Sequence, residues 1–242
     1  MKIIVGKDET EMANIAAQHV LSYMYTDKRM NLSITGGTSP RKMYEILVPQ
    51  VKDKPYFSNV HFYNFDEIPY RKEDREGVTI SGLREAFFTP ANIPEANIHK
   101  LDQYNYQTQD ERLKQDGGLD MLILGIGADG HYCGNLPGTT KFGDGTCRVE
   151  NDQRLKDRIL PEFDNVVEDV PEYYVTMGPR SVMAAKNLVL IATGTKKAAI
   201  IHRILTGEVD ENVPATLITL HPNLTIILDE DAAAEIRKHH VI

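Results

Sequence analysis

The stretch from Leu119 to Pro137, Leu-Asp-Met-Leu-Ile-Leu-Gly-Ile-Gly-Ala-Asp-Gly-His-Tyr-Cys-Gly-Asn-Leu-Pro, constrains this chain more than any other. Met121 to Leu124 is a short apolar run with the length of a buried strand. It enters Gly125-Ile126-Gly127, where the backbone turns tightly or approaches something closely. Asp129, Gly130 and His131 follow at once, at the carboxyl end of that strand, which is where ligands bind in open α/β sheets. A carboxylate, a flexible residue and an imidazole at such a point suit proton transfer. An Asx-turn at Asp129, with His131 an ordinary loop residue, fits the same spacing. The rest of the chain has to decide between the two.

Strand and helix patterns alternate on both sides of this stretch. Lys2 to Val5 reads as a strand. Asp8 then stands as an N-cap, with Glu11 placed to close a capping box, and Met12, Ile15, Ala16, His19, Val20 and Met24 recur at helical spacing. Leu32 to Ile34 is a second short strand, and a helix follows Pro40, which suits a helix start. Val60 to Asn64 is a third strand, ending in Phe65-Asp66-Glu67, with a helix near Ile80 to Phe88. Leu101 to Asp116 is polar and reads as a loop followed by an amphipathic helix. Gly138 to Asp169 is the least regular part, long loops with at most one helix, and such loops are often lids or binding loops. Regularity returns with strands at 173–177, 187–192 and 224–228, a helix from Thr193–Lys197 to Leu205, and a last helix from Asp229 to His239. This order predicts an α/β fold: a doubly wound, mostly parallel, Rossmann-like sheet with helices on both faces, the whole of 1–242 forming a single domain.

Composition narrows the function. A net charge of −8 and the lack of any long Lys/Arg run argue against a nucleic-acid surface. An anionic ligand would need a local cluster of donors. No apolar segment approaches the ~20 residues of a membrane helix, and charge arrives too early at the N-terminus for a signal peptide. Cys133 and Cys147, 14 residues apart, could bridge, but a single pair in a chain of this size fits a reducing cytoplasm better. They belong to no Cys-x-x-Cys pair and have no zinc spacing; no metal is expected.

The informative residues share one position, just after a strand. Thr35-Gly36-Gly37-Thr38-Ser39 offers glycines, hydroxyls and free N–H groups at a helix start, which is a phosphate cradle or simply a capped turn. Lys197 opens another helix and could add a positive charge to the same phosphate, or sit solvated. Asp66 and Glu67 form a carboxylate pair pinned between Phe65 and Ile68, and one of them could act as a general base. A phosphate site, a base and an imidazole are the equipment for sugar-phosphate chemistry.

Four of these motifs, Thr35 to Pro40, Asn64 to Glu67, Gly125 to His131 and Gly194 to Ala198, resemble in sequence and order those of the glucosamine-6-phosphate deaminase/isomerase and 6-phosphogluconolactonase superfamily. The resemblance extends to Leu220-His221-Pro222 and covers nearly the whole chain. It implies a sugar phosphate held by Gly36, Gly37, Thr38, Ser39 and Lys197, with Asp66, Asp129 and His131 as the catalytic set. Asn64 to Glu67, Thr176-Met177-Gly178 and Leu220 to Pro222 lean to the deaminases. Thr38-Ser39-Pro40-Arg41 and Leu136-Pro137-Gly138 lean to the lactonases. Where deaminases read Asn-Glu-Pro, this chain reads Asn135-Leu136-Pro137, so the usual carboxylate assisting the histidine is missing. The phosphate-contacting arginine of the deaminases falls in the irregular region, where Arg148, Arg154 and Arg158 all qualify. The implied activity is hexosamine-phosphate isomerisation with deamination, which needs no cofactor. A lactonase, or a non-catalytic sugar-phosphate sensor, is the alternative.

Overall fold

The computed structural model describes residues 1–37, 39–72 and 75–242. In chain order its elements are β1 (Lys2–Gly6), α1 (Glu9–Met24), β2 (Met30–Ser33), α2 (Arg41–Val51), β3 (Val60–Tyr63), β4 (Asp66–Glu67), α3 (Val78–Leu83), β5 (Ile98–His99) and α4 (Gln109–Gln115). Then come β6 (Met121–Leu124), β7 (Cys147–Glu150), α5 (Gln153–Ile159), β8 (Tyr173–Thr176), α6 (Pro179–Met183), β9 (Leu188–Ala192), α7 (Ala198–Thr206), β10 (Leu224–Asp229) and α8 (Glu230–Lys238). Seven strands pair in the order β1-β10-β9-β6-β2-β3-β5, each parallel to its neighbours.

Side chains along the central strands alternate between two cores, as the period of two requires. Met121, Ile123, Val189, Ile191 and Ile227 pack against α1 and α2 on one face. Leu122, Leu124, Leu190, Ile226 and Leu228 pack against α7 and α8 on the other. Both faces are therefore apolar, which is why β6 and β9 read as unbroken hydrophobic runs. The doubly wound sheet expected from the sequence forms. From β2 the chain moves outward to β3 and β5, and from β6 it moves the opposite way to β9 and β10, beyond which the first strand, β1, forms the edge. The switch point thus lies between β2 and β6, joined by Leu32↔Met121 and Ser33↔Leu122. Among the described residues no helix is long and apolar enough to cross a membrane.

Two local expectations change. The strand expected at 173–177 forms as β8, but outside the main sheet, between β4 and β7 in a three-stranded antiparallel sheet. The Asp8 carboxylate caps α1 by accepting the Glu11 N–H at 2.8 Å, but Glu11 accepts the N–H of Lys7 rather than that of Asp8, so the box closes one residue earlier. Both cysteines are free thiols.

At the β3–β5 edge, His61 Nδ1 lies 2.8 Å from His99 Nε2, so one ring must donate and the other accept. Burial lowers the pKa of both, and the Arg29 guanidinium lowers both further. The folded chain therefore favours neutral rings, and the unfolded chain takes up protons first as the pH drops. The pair's contribution is complete above the ordinary 6.5 and is lost as the pH falls below it. Urea midpoints measured from pH 7.5 to 5 should fall less steeply for a His61→Gln/His99→Gln protein than for the parent, and parallel curves would show that the pair does not couple to folding.

Candidate active site

A cleft of about 700 Å³ opens at the switch point. The turn after β2 contributes Thr35, Gly36, Gly37 and Ser39, the turn after β6 contributes Gly125 to Ala128 and His131, and Lys197 stands just before α7. Asp66 and Thr79 face it from β4 and α3, while Arg158, Ile159 and Glu162 form a wall from α5 and the turn after it. Of the expected site residues, Asp66, His131, Gly36, Gly37, Ser39 and Lys197 therefore line one cavity. Asp129 joins them through His131, and Thr38 lies outside the described residues. Arg41, in the first turn of α2, also lines the cleft and was not singled out from the sequence. Its signal was only Pro40-Arg41 at a helix start after a glycine turn.

The β2 turn is held by Tyr44, which is fully buried and donates its hydroxyl to the Thr35 carbonyl at 2.6 Å. Gly37 follows at φ +85°, a conformation that costs glycine little. The β6 turn is a closed unit: the Gly127 N–H donates to the His131 carbonyl (2.8 Å) and the Gly130 N–H to the Gly127 carbonyl (3.0 Å). His131 Nδ1 then meets Asp129 Oδ1 at 2.5 Å. A Cβ at position 127 would stand 1.9 Å from His131 Nδ1 and 2.5 Å from Asp129 Oδ1. Only glycine lets the imidazole and the carboxylate meet there.

Arg158 reaches this pair from α5, with Nη1 3.4 Å from Asp129 Oδ2 and Nη2 3.1 Å from His131 Nε2. The same Nη2 is 3.4 Å from Nδ1, so the guanidinium lies over the face of the imidazole. An ionised carboxylate can only accept, so the proton of a neutral ring sits on Nδ1, directed at Asp129, and Nε2 carries the lone pair. Burial lowers the His131 pKa, and the charges of Arg158 and Lys197 lower it further against the pull of Asp129. Burial pushes the Asp129 carboxyl up, but the His131 hydrogen bond and the Arg158 charge more than offset it and leave it low. At neutral pH the set is aspartate, neutral imidazole and guanidinium. Lys197 Nζ donates to the Ile126 carbonyl at 2.5 Å, and burial lowers its pKa.

The two carboxylates expected as a pair are separated by the pleat of β4. Glu67 is buried away from this cleft and accepts the N–H groups of Ile68, Thr79 and Ile80 at 2.9, 2.8 and 3.0 Å, fastening the start of α3. Gly77 is needed beside it, because a Cβ there would lie 2.4 Å from Glu67 Oε1. Asp66 instead faces the cleft, and its carboxylate accepts a long hydrogen bond from the Thr79 hydroxyl at 3.3 Å. Loss of hydration pushes its pKa up to about 7, near the optimum for a base working at neutral pH. Cys133, also on the cleft, has its thiol pushed well up by burial and by the Asp66 charge, so it is held protonated.

Arg158 is the one of the three candidate arginines that lines the cleft. Arg148 stacks on the Tyr173 ring and pairs with Glu150, and Arg154 is exposed. Leu136 packs with Val149, Leu155 and Tyr174 in a small apolar cluster that anchors α5. Asn135, next to Leu136, is fully buried and donates to the Met177 carbonyl at 2.9 Å.

Residues 7–227 match the family model of glucosamine-6-phosphate isomerases/6-phosphogluconolactonase, and the chain belongs to that family. It is 32% identical to the glucosamine-6-phosphate deaminase of Oceanobacillus iheyensis, over 99% of this chain and 98% of that protein. It is 33% identical to the same enzyme of Lysinibacillus sphaericus, over 94% and 98%. Its fold is that of a monomeric glucosamine-6-phosphate deaminase (TM-score 0.82, 22% identity, 97% of this chain and 100% of the other). The 6-phosphogluconolactonase of Trypanosoma cruzi shares it too (TM-score 0.75, 18% identity, 97% and 96%).

Two substitutions check this geometry. Gly127→Ala should leave the unfolding midpoint near that of the parent yet reduce turnover on the order of 10²-fold, because it displaces the imidazole. Leu136→Glu should destabilise by roughly 2 kcal/mol or more, by burying an unpaired carboxylate, and should not raise activity. A stable and more active Leu136→Glu protein would show that position 136 can reach the cleft.

Proposed function

We propose that this chain is a sugar-phosphate isomerase/deaminase that converts glucosamine 6-phosphate, or a related hexosamine phosphate, into a ketose phosphate and ammonia. One observation carries the reading: a carboxyl poised near neutrality and a neutral imidazole face the same cleft as a glycine turn and a lysine. The full-length likeness to proteins named as deaminases supports it.

In this reading the phosphate rests on the N–H groups of Gly36 and Gly37, on Thr38 and Ser39, and on Lys197, with Arg158 as a further cation. His131, its tautomer set by Asp129, moves a proton at the ring oxygen and opens the pyranose. Asp66 takes the C2 proton and returns it to C1 through an enol-type intermediate, and water hydrolyses the resulting C2 imine to release ammonia. The chain acts as one domain, and its free thiols and acidic surface suit a cytoplasmic enzyme with no nucleic-acid partner. The apolar setting of Leu136 favours a second reading, lactone hydrolysis, in which His131 would activate water and Asp66 would orient the lactone.

Purified protein offered glucosamine 6-phosphate should release ammonia. Acid release from 6-phosphogluconolactone in its place would establish the lactonase, and saturable binding without turnover of either would establish a sensor. Asp66→Asn should reduce isomerisation about 10²–10⁴-fold with phosphate binding retained. In the parent, kcat/KM should rise with pH through about 7, as Asp66 loses its proton and becomes a base. Because folding raises this pKa from the ordinary 3.8, the native state loses stability as the pH rises from there to about 7. Asp66→Asn should therefore be the more stable protein at pH 8, with the advantage shrinking as the pH falls below about 7 and gone below 3.8, and a flat difference would remove Asp66 from its enclosed setting.

A further inference from the structure

The cations lining the cleft, Arg41, Arg158 and Lys197, suit an anionic guest. Two carboxyl groups line it as well, Asp66 and Glu162, and a carboxylate in such a cleft repels an anion. Asp66 is enclosed beside Thr79 and has work to do as a base. The Glu162 side chain is exposed and makes no hydrogen bond or ion pair among the described residues. Arg158 stands four residues before it, a usual spacing for an ion pair, but turns to Asp129 and His131 instead. The backbone at Glu162 is nonetheless well fixed. It belongs to the 3₁₀ turn Leu160–Phe163, between Pro161 and the buried Phe163, whose ring meets that of Tyr70 with centroids 5.1 Å apart.

Those contacts put Glu162 on the Asp66 side of the cleft. Tyr70 lies four residues beyond Asp66. Ile68, between them, lines the cleft and packs against the Leu155 cluster that anchors α5. A sugar phosphate that offers its C2 hydrogen to Asp66 turns the other substituent of C2 away at the tetrahedral angle, onto whatever lines the cleft beside Asp66. In a hexosamine that substituent is an ammonium, which the arginines and the lysine repel. We propose that Glu162 is the specificity-determining residue for the amino group: its carboxylate receives the C2 ammonium of a hexosamine phosphate and so sets amino sugars apart from neutral sugar phosphates. The proposal rests on the proposed function for the phosphate grip and for Asp66 as base, and adds the contact that reads the substrate's positive charge. A water-exposed ion pair of this kind is weak, so Glu162 supplies selectivity rather than the bulk of the affinity.

Two polyol phosphates test this without turnover, since neither has a carbonyl to isomerise. 2-Amino-2-deoxyglucitol 6-phosphate carries the ammonium, and glucitol 6-phosphate has a hydroxyl in its place. By calorimetry at neutral pH and low ionic strength, the parent should bind the amino compound on the order of fivefold more tightly. In Glu162→Gln the two should bind equally, with the affinity for glucitol 6-phosphate unchanged or slightly raised. A preference of the same size in both proteins would leave Glu162 a rim charge and overturn the proposal, as would a parent that favours neither compound. Failure of the parent to bind either would remove the phosphate grip and the proposal with it. Ammonia release from glucosamine 6-phosphate is followed separately, and in Glu162→Gln its KM should rise by the same factor with kcat little changed. A Glu162-dependent preference without ammonia release would keep this assignment and lose the reaction, whereas ammonia release with a Glu162-independent preference would do the reverse.

Discussion

Two residue pairs, Leu32 with Met121 and Ser33 with Leu122, join β2 to β6 and with them the two halves of the sheet. Everything else in the cleft depends on that short parallel seam. Because the strands on either side of it run outward in opposite directions, the crossover helices leave the space above their carboxyl ends open. Because both strands point the same way, their glycine turns emerge side by side. The seam is central and buried on both faces, so a slip in its register would drive side chains from one core into the other. Chemistry that requires a fixed distance between two turns is well placed on such a join.

Around the seam, each functional group is set by a contact that excludes alternatives. Gly127 leaves room for the Asp129–His131 pair, and the Glu67 carboxyl is taken up by the N–H groups of Ile68, Thr79 and Ile80, so that Asp66 alone of the two is turned to the cleft. Asp66 pays for that position in lost hydration, which is also what brings its proton affinity near neutrality. Asp229 accepts the Gly194 N–H through both oxygens at 3.0 Å and caps α8 as well. The approach to Lys197 is thereby tied to the end of β10. Polar groups at strand ends are held here by backbone, and backbone is what a sheet positions best.

The sequence made the main sheet legible because its strands are unbroken apolar runs such as Met121–Leu124 and Leu188–Ala192, each followed by a glycine turn. The motifs at those turns also named most of the cleft. What stayed hidden lacked periodicity. Asp66–Glu67 and Ile98–His99 are two-residue strands, too short to show any period, and β7 reads Cys-Arg-Val-Glu, with too few apolar residues to stand out as a strand. The antiparallel sheet was therefore not foreseen, although β8 itself was. Arg148, Arg154 and Arg158 could not be ranked, because the choice depends on how β7 and α5 are placed and which side of α5 faces the cleft. That side is set by Leu155 packing on Val149 and Tyr174, a contact between segments with no shared pattern. Arg41 was passed over because an arginine at a helix start is ordinary on a solvated surface.

The antiparallel sheet divides the cavity into two jaws. Asp66 rides on β4, and α5 is anchored through Leu155 to β7 and β8, so the base and the guanidinium belong to one jaw. The imidazole and the lysine belong to the other, built on β6 and β9. The jaws are laced together through β8, where Asn135 and the Gly134 N–H reach Met177 and Thr176, and the Met177 N–H reaches Phe65. A bulkier guest could be admitted by straining this lacing and the Arg158 contacts with Asp129 and His131, with the internal bonding of each jaw intact.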